Sequence, residues 1–178
     1  MEQILLVKKA IAGNEKAFEE LVKSQSEKLY KTAFLYVRNK EDALDVLQET
    51  IYKAYISVNQ VEKPEYFNTW LTKILIRTSF DILKKRKKIV LDDTLLESPD
   101  ENRRMSMEGK MDLINAISSL NSDYRTVIIL FYYQDLPIYD IARTMEKPEN
   151  TIKTYLRRAK LELRKKLEGG DFREQGAY

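Results

Sequence analysis

Residues 136 to 167, LPIYDIARTMEKPENTIKTYLRRAKLELRKKL, hold two helical patterns broken around Met145 to Pro148, and no other stretch restricts the fold as much. Before the break, Ile138, Ile141, Ala142 and Met145 recur at the three-and-four spacing of one helix face, and Pro137 stands where a first turn tolerates a missing N–H. Ala142 is small enough to let a second helix cross closely, at no cost in helix propensity. After the break, Ile152, Leu156, Ala159, Leu163 and Leu167 form a second apolar stripe, with Lys153, Arg157, Lys160 and Arg164 beside it. Two helices joined in this way make a helix-turn-helix. A basic face on the second helix suits the major groove of DNA, where phosphates reward charge and Arg grips guanine edges with paired hydrogen bonds. An ordinary solvated surface helix can also be rich in Lys and Arg, so the turn, Ala142 and the preceding helix carry the reading beyond that bland alternative.

The 178 residues allow one or two small domains, and 43% apolar content is enough for folded, soluble cores. A formal charge of +3 is too small to argue for nucleic acid by itself; the distribution of charge says more. Cysteine and histidine are both absent, which excludes disulfides, thiol chemistry, Cys/His zinc clusters and a histidine general base. Five glycines and four prolines favour helices, no Gly-rich phosphate loop is present, most ordinary hydrolase constellations are gone, and no cofactor is expected. The only apolar run near the amino terminus, Ile4 to Val7, follows an acidic residue and does not read as a signal peptide. Val127 to Tyr133, the longest apolar run, is far short of the ~20 residues a membrane helix needs. The expectation is a cytoplasmic protein without membrane insertion.

The spacing predicts a short helix over residues 2 to 12 ending at Gly13, with Asn14 capping a long helix to about Val37. That long helix buries Phe18, Leu21, Val22, Leu29, Ala33 and Val37. Asn39, with Asp42 three residues on, opens EDALDVLQETIYKAYISV, whose buried stripe is read as Ala43, Val46, Leu47, Ile51, Ala54 and Tyr55. Asp42, Asp45, Gln48 and Glu49 are left on its outward face, which by itself is ordinary solvated surface. Asn59 to Lys63 reads as a loop. Pro64 restarts a helix through YFNTWLTKILIRTSFDILKKRKK, with Phe67, Trp70, Leu71, Ile74, Leu75, Thr78 and Ile82 inward. Its cationic end, Lys84 to Lys88, would suit the helix dipole whatever else it does. Residues 91–109 are acidic and aperiodic and read as a linker, and GGDFREQGAY, 169–178, reads as a disordered tail. Asn121 caps a segment ending in the run Val127 to Tyr133, read as helix because no partner strand is visible. The fold class is therefore all-α: two small helical domains, 1–90 and 110–168, joined by a flexible linker, the second containing the helix-turn-helix.

In this order, DALDVLQETIYKAY, FNTWLTKILIRTSFDILKKRKK, a variable linker and LPIYDIARTMEKPENTIKTYLRRAKLELRKKL closely resemble bacterial extracytoplasmic-function (ECF) sigma factors, over roughly residues 10 to 168. That resemblance implies an alternative sigma factor that binds core RNA polymerase and directs promoter-specific initiation. It implies that Asp42, Ala43, Asp45, Gln48 and Glu49 dock on the clamp helices of the largest polymerase subunit. It implies that the helix from Tyr66 reads the minus-ten element as a single strand. A base flipped from the stack would enter the loop of Asn59 to Lys63, Asn68 and Thr69 would lie on the polar face, and Lys73, Arg77, Lys84 and Arg86 would hold phosphates. The helix-turn-helix would read the minus-thirty-five duplex with Glu149, Asn150, Thr151, Lys153, Thr154, Arg157 and Arg158. An anti-sigma factor is a further partner the resemblance implies. Three residues depart from the family pattern: Glu146 for the turn glycine, Tyr155 for a recognition-helix Arg, and Arg77 for an Asn. The alternative from the residues alone is a helix-turn-helix regulator that acts without being a polymerase subunit; a helical adaptor is a third reading.

Overall fold

The computed structural model describes residues 2–92 and 108–174, with side chains at 2–86 and 113–168. Contacts divide the chain into two compact units, Met1–Arg86 and Lys87–Tyr178. The elements in order are α1 (Glu2–Ile11), α2 (Glu15–Val37), α3 (Lys40–Ser57), α4 (Phe67–Asp92), α5 (Glu108–Ser118), α6 (Ser122–Ile128), α7 (Ile138–Met145) and α8 (Glu149–Glu174). No strand occurs among the described residues.

In the first unit α1 ends at Gly13, whose φ of 88° turns the chain left-handed. The Gly13 amide bonds to the Ala10 carbonyl and the Asn14 amide to that of Lys9, which satisfies carbonyls that a helix end leaves open. Asn14 then accepts from the Ala17 amide at 2.9 Å and starts α2; Asn39 does the same for α3 through the Asp42 amide, also at 2.9 Å. Three caps with this geometry, the third at Asn121, are what the sequence predicts. The core is Val7, Leu21, Tyr36, Val46, Phe67, Leu71 and Leu75, all essentially inaccessible, and each such side chain contributes about 1.5–3 kcal/mol of burial. Tyr36 meets Phe80 edge-on at 5.6 Å and so ties α2 to α4.

The buried seam of α3 differs from the expected one. Ala43, Val46, Thr50 and Ala54 are inside, whereas Tyr55 is 46% exposed and Leu47 and Ile51 only half-buried. Positions 43, 46, 50 and 54 recur at three and four residues, so small side chains define the seam and let α3 pack closely. On α4, Trp70, Ile74 and Ile82 are half-buried rather than buried, while Thr72 and Ser79 go inside; the Ser79 hydroxyl donates to the Leu75 carbonyl at 2.8 Å. Instead of a plain loop, Val58–Gln60 and Pro64–Tyr66 form single 3-10 turns around Val61, which is buried.

In the second unit Asn121 caps α6, and Ile129–Tyr133 continues it with wider π-helical turns, the Gln134 amide reaching back to the Ile129 carbonyl at 3.0 Å. Val127, Ile129 and Leu130 are fully buried, which accounts for a run apolar enough to resemble a strand. Pro137 sits one place before α7, as its cap, instead of in the first turn. The apolar stripe of α8 is buried only at Ile152, Leu156 and Ala159; Leu163 is half-buried and Leu167 39% exposed. With α8 at 26 residues and α5, α6 and α7 at 11, 7 and 8, its later turns outrun their cover. The α8 backbone also runs on through Gly169 and Gly170 to Glu174, past the place where a disordered tail is expected. Each glycine weakens a helix by about 1 kcal/mol without interrupting its hydrogen bonds. The expected linker, 91–109, lies outside the described residues but for the last turn of α4 and the first of α5, as does 175–178.

Candidate nucleic-acid interface

α7 and α8 are joined at Glu146, which takes left-handed angles, φ 55° and ψ 43°. Its amide caps Ala142, and the Lys147 amide bonds to the same carbonyl at 3.0 Å. A non-Gly residue in this conformation is strained by roughly 1–2 kcal/mol, part of which Gly would return as lost chain entropy. Glu146→Gly is accordingly expected to stabilise the second unit by about 0.5–1 kcal/mol and raise its thermal midpoint by a few degrees. An unchanged or lower midpoint in a calorimetric scan would count against a strained turn.

Ile152, Leu156 and Ala159 fix α8 to the unit and leave Lys153, Arg157 and Arg158 between them facing outward. Glu149, Asn150, Lys153, Arg157 and Arg158 are exposed; Thr151 and Thr154 are half-buried, and Thr154 bonds back to the Asn150 carbonyl at 2.9 Å. The structure thus brings all seven predicted contacts onto the first turns of one helix. Lys153, Arg157, Arg158 and Lys160 have no carboxylate within ion-pair distance among the described residues. Farther along, Arg164 bonds Glu168 at 2.6 Å, which holds its pKa above the ordinary guanidinium value, and Lys166 faces Glu162 at 3.8 Å. Uncompensated charge is concentrated at the amino-terminal half of α8, where a recognition helix meets DNA.

Tyr155 does not join that face. Its ring packs edge-on against Tyr124 at 5.6 Å, and the Lys147 ammonium lies 5.7 Å from its centroid and 3.7 Å from Asp123. Tyr155 therefore clamps the strained turn to α6. Tyr155→Ala should destabilise the unit by about 1–2 kcal/mol in thermal unfolding and leave the charges of the exposed basic face in place. A stability change within about 0.5 kcal/mol would contradict the clamp.

In the first unit the polar side of α4 carries Asn68 and Arg77, exposed, and Thr69 and Lys73, half-buried; Lys84, Lys85 and Arg86 are exposed at its far end. Asn59 and Lys63 are exposed on the turns before it, and the Lys63 ammonium sits 5.9 Å from the Tyr66 ring centroid. Two contacts to this face go beyond what the sequence predicts. Gln3 of α1 donates to the Asn68 side-chain oxygen at 3.2 Å, and Asp42 of α3 accepts from Arg86 Nη1 at 2.8 Å.

The four polar residues of α3 also separate. Asp42, Glu49 and Lys53 lie along the flank toward α4: Lys53 Nζ is 3.4 Å from Glu49, 3.9 Å from Asp81 and 3.4 Å from the Thr78 hydroxyl. Asp45 and Gln48 are exposed on the outer side among Leu44, Tyr52 and Ile56, which are 48%, 60% and 59% exposed. Those apolar residues recur at four-residue multiples, and with Tyr55 they are more than one buried seam can take up, which is the signal the sequence did offer. An open groove between α2 and α3, with Phe18, Val22, Ile51 and Tyr52 in its wall, adjoins them. The Tyr55 hydroxyl donates to Glu15 at 2.8 Å along its rim, a bond that pushes the phenol pKa up.

Residues 21–89 match the family described as Sigma-70 region 2, and residues 110–163 match Sigma-70, region 4. Two helical units bearing these regions define a sigma factor of RNA polymerase. The RNA polymerase sigma factor SigV of Bacillus subtilis (strain 168) is 43% identical over 131 residues, 73% of this chain and 78% of that one. The ECF RNA polymerase sigma factor SigW of the same organism is 27% identical over 180 residues, 90% of this chain and 94% of that one. RpoE of Bartonella quintana, solved in complex with the anti-sigma factor NepR, shares the fold with a TM-score of 0.71 and 24% identity, covering 86% of this chain and 98% of that one. The chain belongs to the ECF group of the sigma-70 family and is an alternative sigma factor that directs transcription initiation.

Proposed function

We propose that the outer face of α3 docks on the clamp helices of core polymerase, that α4 and the turns before it capture the minus-ten element as a single strand, and that α8 grips the minus-thirty-five duplex. One observation favours this over a helix-turn-helix regulator acting alone: Leu44, Tyr52 and Ile56 stand exposed among Asp45 and Gln48 on the side of α3 away from the core. Such a mixed surface is what a protein partner uses, the apolar residues for affinity and the polar ones for register and on-rate.

In this reading the chain carries out no bond chemistry. Binding drives strand separation: extruding a base costs a few kcal/mol, and contacts to the captured base and to phosphates offset that cost. Asn59, Lys63, Asn68 and Thr69 would line the strand, with Lys73, Arg77 and Lys84 along its phosphates. On the duplex side Lys153, Arg157 and Arg158 would supply charge, and Glu149, Asn150, Thr151 and Thr154 would border the groove. An anti-sigma factor covering the α3 stripe fits the same surface, and a cytoplasmic site of action fits a subunit of the transcription machinery. The test is retention of the purified protein on immobilised core polymerase, followed by run-off transcription. Retention with a promoter-dependent product supports the proposal; DNA binding without retention would favour the stand-alone regulator.

A further inference from the structure

We infer that Asp42 is a positioning residue for promoter binding: its carboxylate holds the Arg86 guanidinium ready for a DNA phosphate, against the polymerase-docking role that the family resemblance implies for it. The inference rests on the proposed phosphate contacts at the carboxyl end of α4.

Asp42 is fixed from two sides. Its amide is capped by Asn39, and its carboxylate oxygen receives Arg86 Nη1 at 2.8 Å, joining the start of α3 to the end of α4. The Asp42 side chain is only 24% exposed, whereas that of Arg86 is 50% exposed. The acid is thus turned toward α4 and the guanidinium remains open to solvent. With 3.6 residues per turn, positions 42, 49 and 53 share a flank, and Lys53 shows that this flank meets α4. Asp45 and Gln48 are exposed and make no such contact with α4 among the described residues.

Arginine offers five N–H donors in a planar fork, and one bond to Asp42 leaves the others for a phosphate. A long, rotamer-rich side chain must be ordered before it can grip, and a carboxylate that already holds it removes part of that cost. Lys84 and Lys85 beside it are exposed, with no carboxylate in ion-pair distance among the described residues. The lysines supply charge and Arg86 supplies geometry.

The test uses holoenzyme rebuilt from core polymerase and full-length Asp42→Asn, Asp42→Glu, Arg86→Gln and the Asp42→Asn/Arg86→Gln double variant. The probe is a fluorescent promoter fragment recovered by transcript start mapping. Asp42→Asn should leave affinity for core within about twofold and weaken the promoter complex by about threefold to tenfold. The double variant should be no worse than Arg86→Gln, and Asp42→Glu should restore binding. A shallower dependence of promoter affinity on salt is expected in every variant that frees or removes Arg86. Weaker binding of core by Asp42→Asn, effects that add in the double variant, or a tighter or unchanged promoter complex would each overturn the inference while leaving the α4 reading intact. Promoter binding unaffected by Arg86→Gln would overturn the inference, and promoter binding also unaffected by Lys73→Gln/Lys84→Gln would overturn the α4 reading.

Discussion

Asp45→Lys combined with Tyr52→Ala is expected to weaken association with core polymerase by on the order of 10²- to 10³-fold and to abolish run-off product at ordinary protein concentrations. Two costs combine. A like charge set against a basic partner surface costs several kcal/mol, and Tyr is, with Trp and Arg, one of the residue types enriched among those whose truncation in an interface costs about 2 kcal/mol or more. Both side chains are exposed and outside the core, so the thermal midpoint should move little. Fluorescence anisotropy of labelled protein titrated with core gives the affinity directly. A change below about threefold would move the docking surface elsewhere.

Lys153→Ala with Arg157→Ala should leave core binding intact and weaken the holoenzyme's complex with promoter DNA by about 1–3 kcal/mol for each side chain, with a salt slope shallower by about 1 for each phosphate no longer neutralised. Neither residue has a carboxylate partner among the described residues, so their removal frees no buried charge, and the fold should persist. If the two act at phosphates, the loss will be uniform across minus-thirty-five sequences. If Arg157 reads a guanine, relaxed preference at one position will accompany it. An unaltered complex would remove α8 from the DNA interface.

Much of this was legible in the sequence because it is local. Asn14, Asn39 and Asn121 each precede a helical pattern at capping distance, and the two halves of the helix-turn-helix keep one period each. The family motifs placed both units in order. What stayed hidden depends on neighbours that are far apart in the chain. That Thr50 is buried on α3 while Tyr55 is 46% exposed depends on which helices pack against α3, which periodicity does not encode. The bond from Asp42 to Arg86 spans 44 positions. In the sequence Tyr155 stands as a missing recognition Arg; in the fold Tyr124 and Lys147 occupy its ring. The sequence reading left only Asp42, Asp45, Gln48 and Glu49 on the outward face of α3, and it takes the fold to show that Leu44, Tyr52 and Ile56 lack cover there too.

One chain, added to core polymerase, should create promoter specificity. Fragmented genomic DNA transcribed by core polymerase with and without the purified protein, followed by sequencing of transcript 5′ ends, measures that property with no promoter chosen in advance. The expected result is a new set of discrete start sites, each preceded by one minus-ten and one minus-thirty-five element at a fixed spacing, with the upstream element lost in the Lys153→Ala/Arg157→Ala variant. Start sites identical to those of core polymerase alone would contradict it.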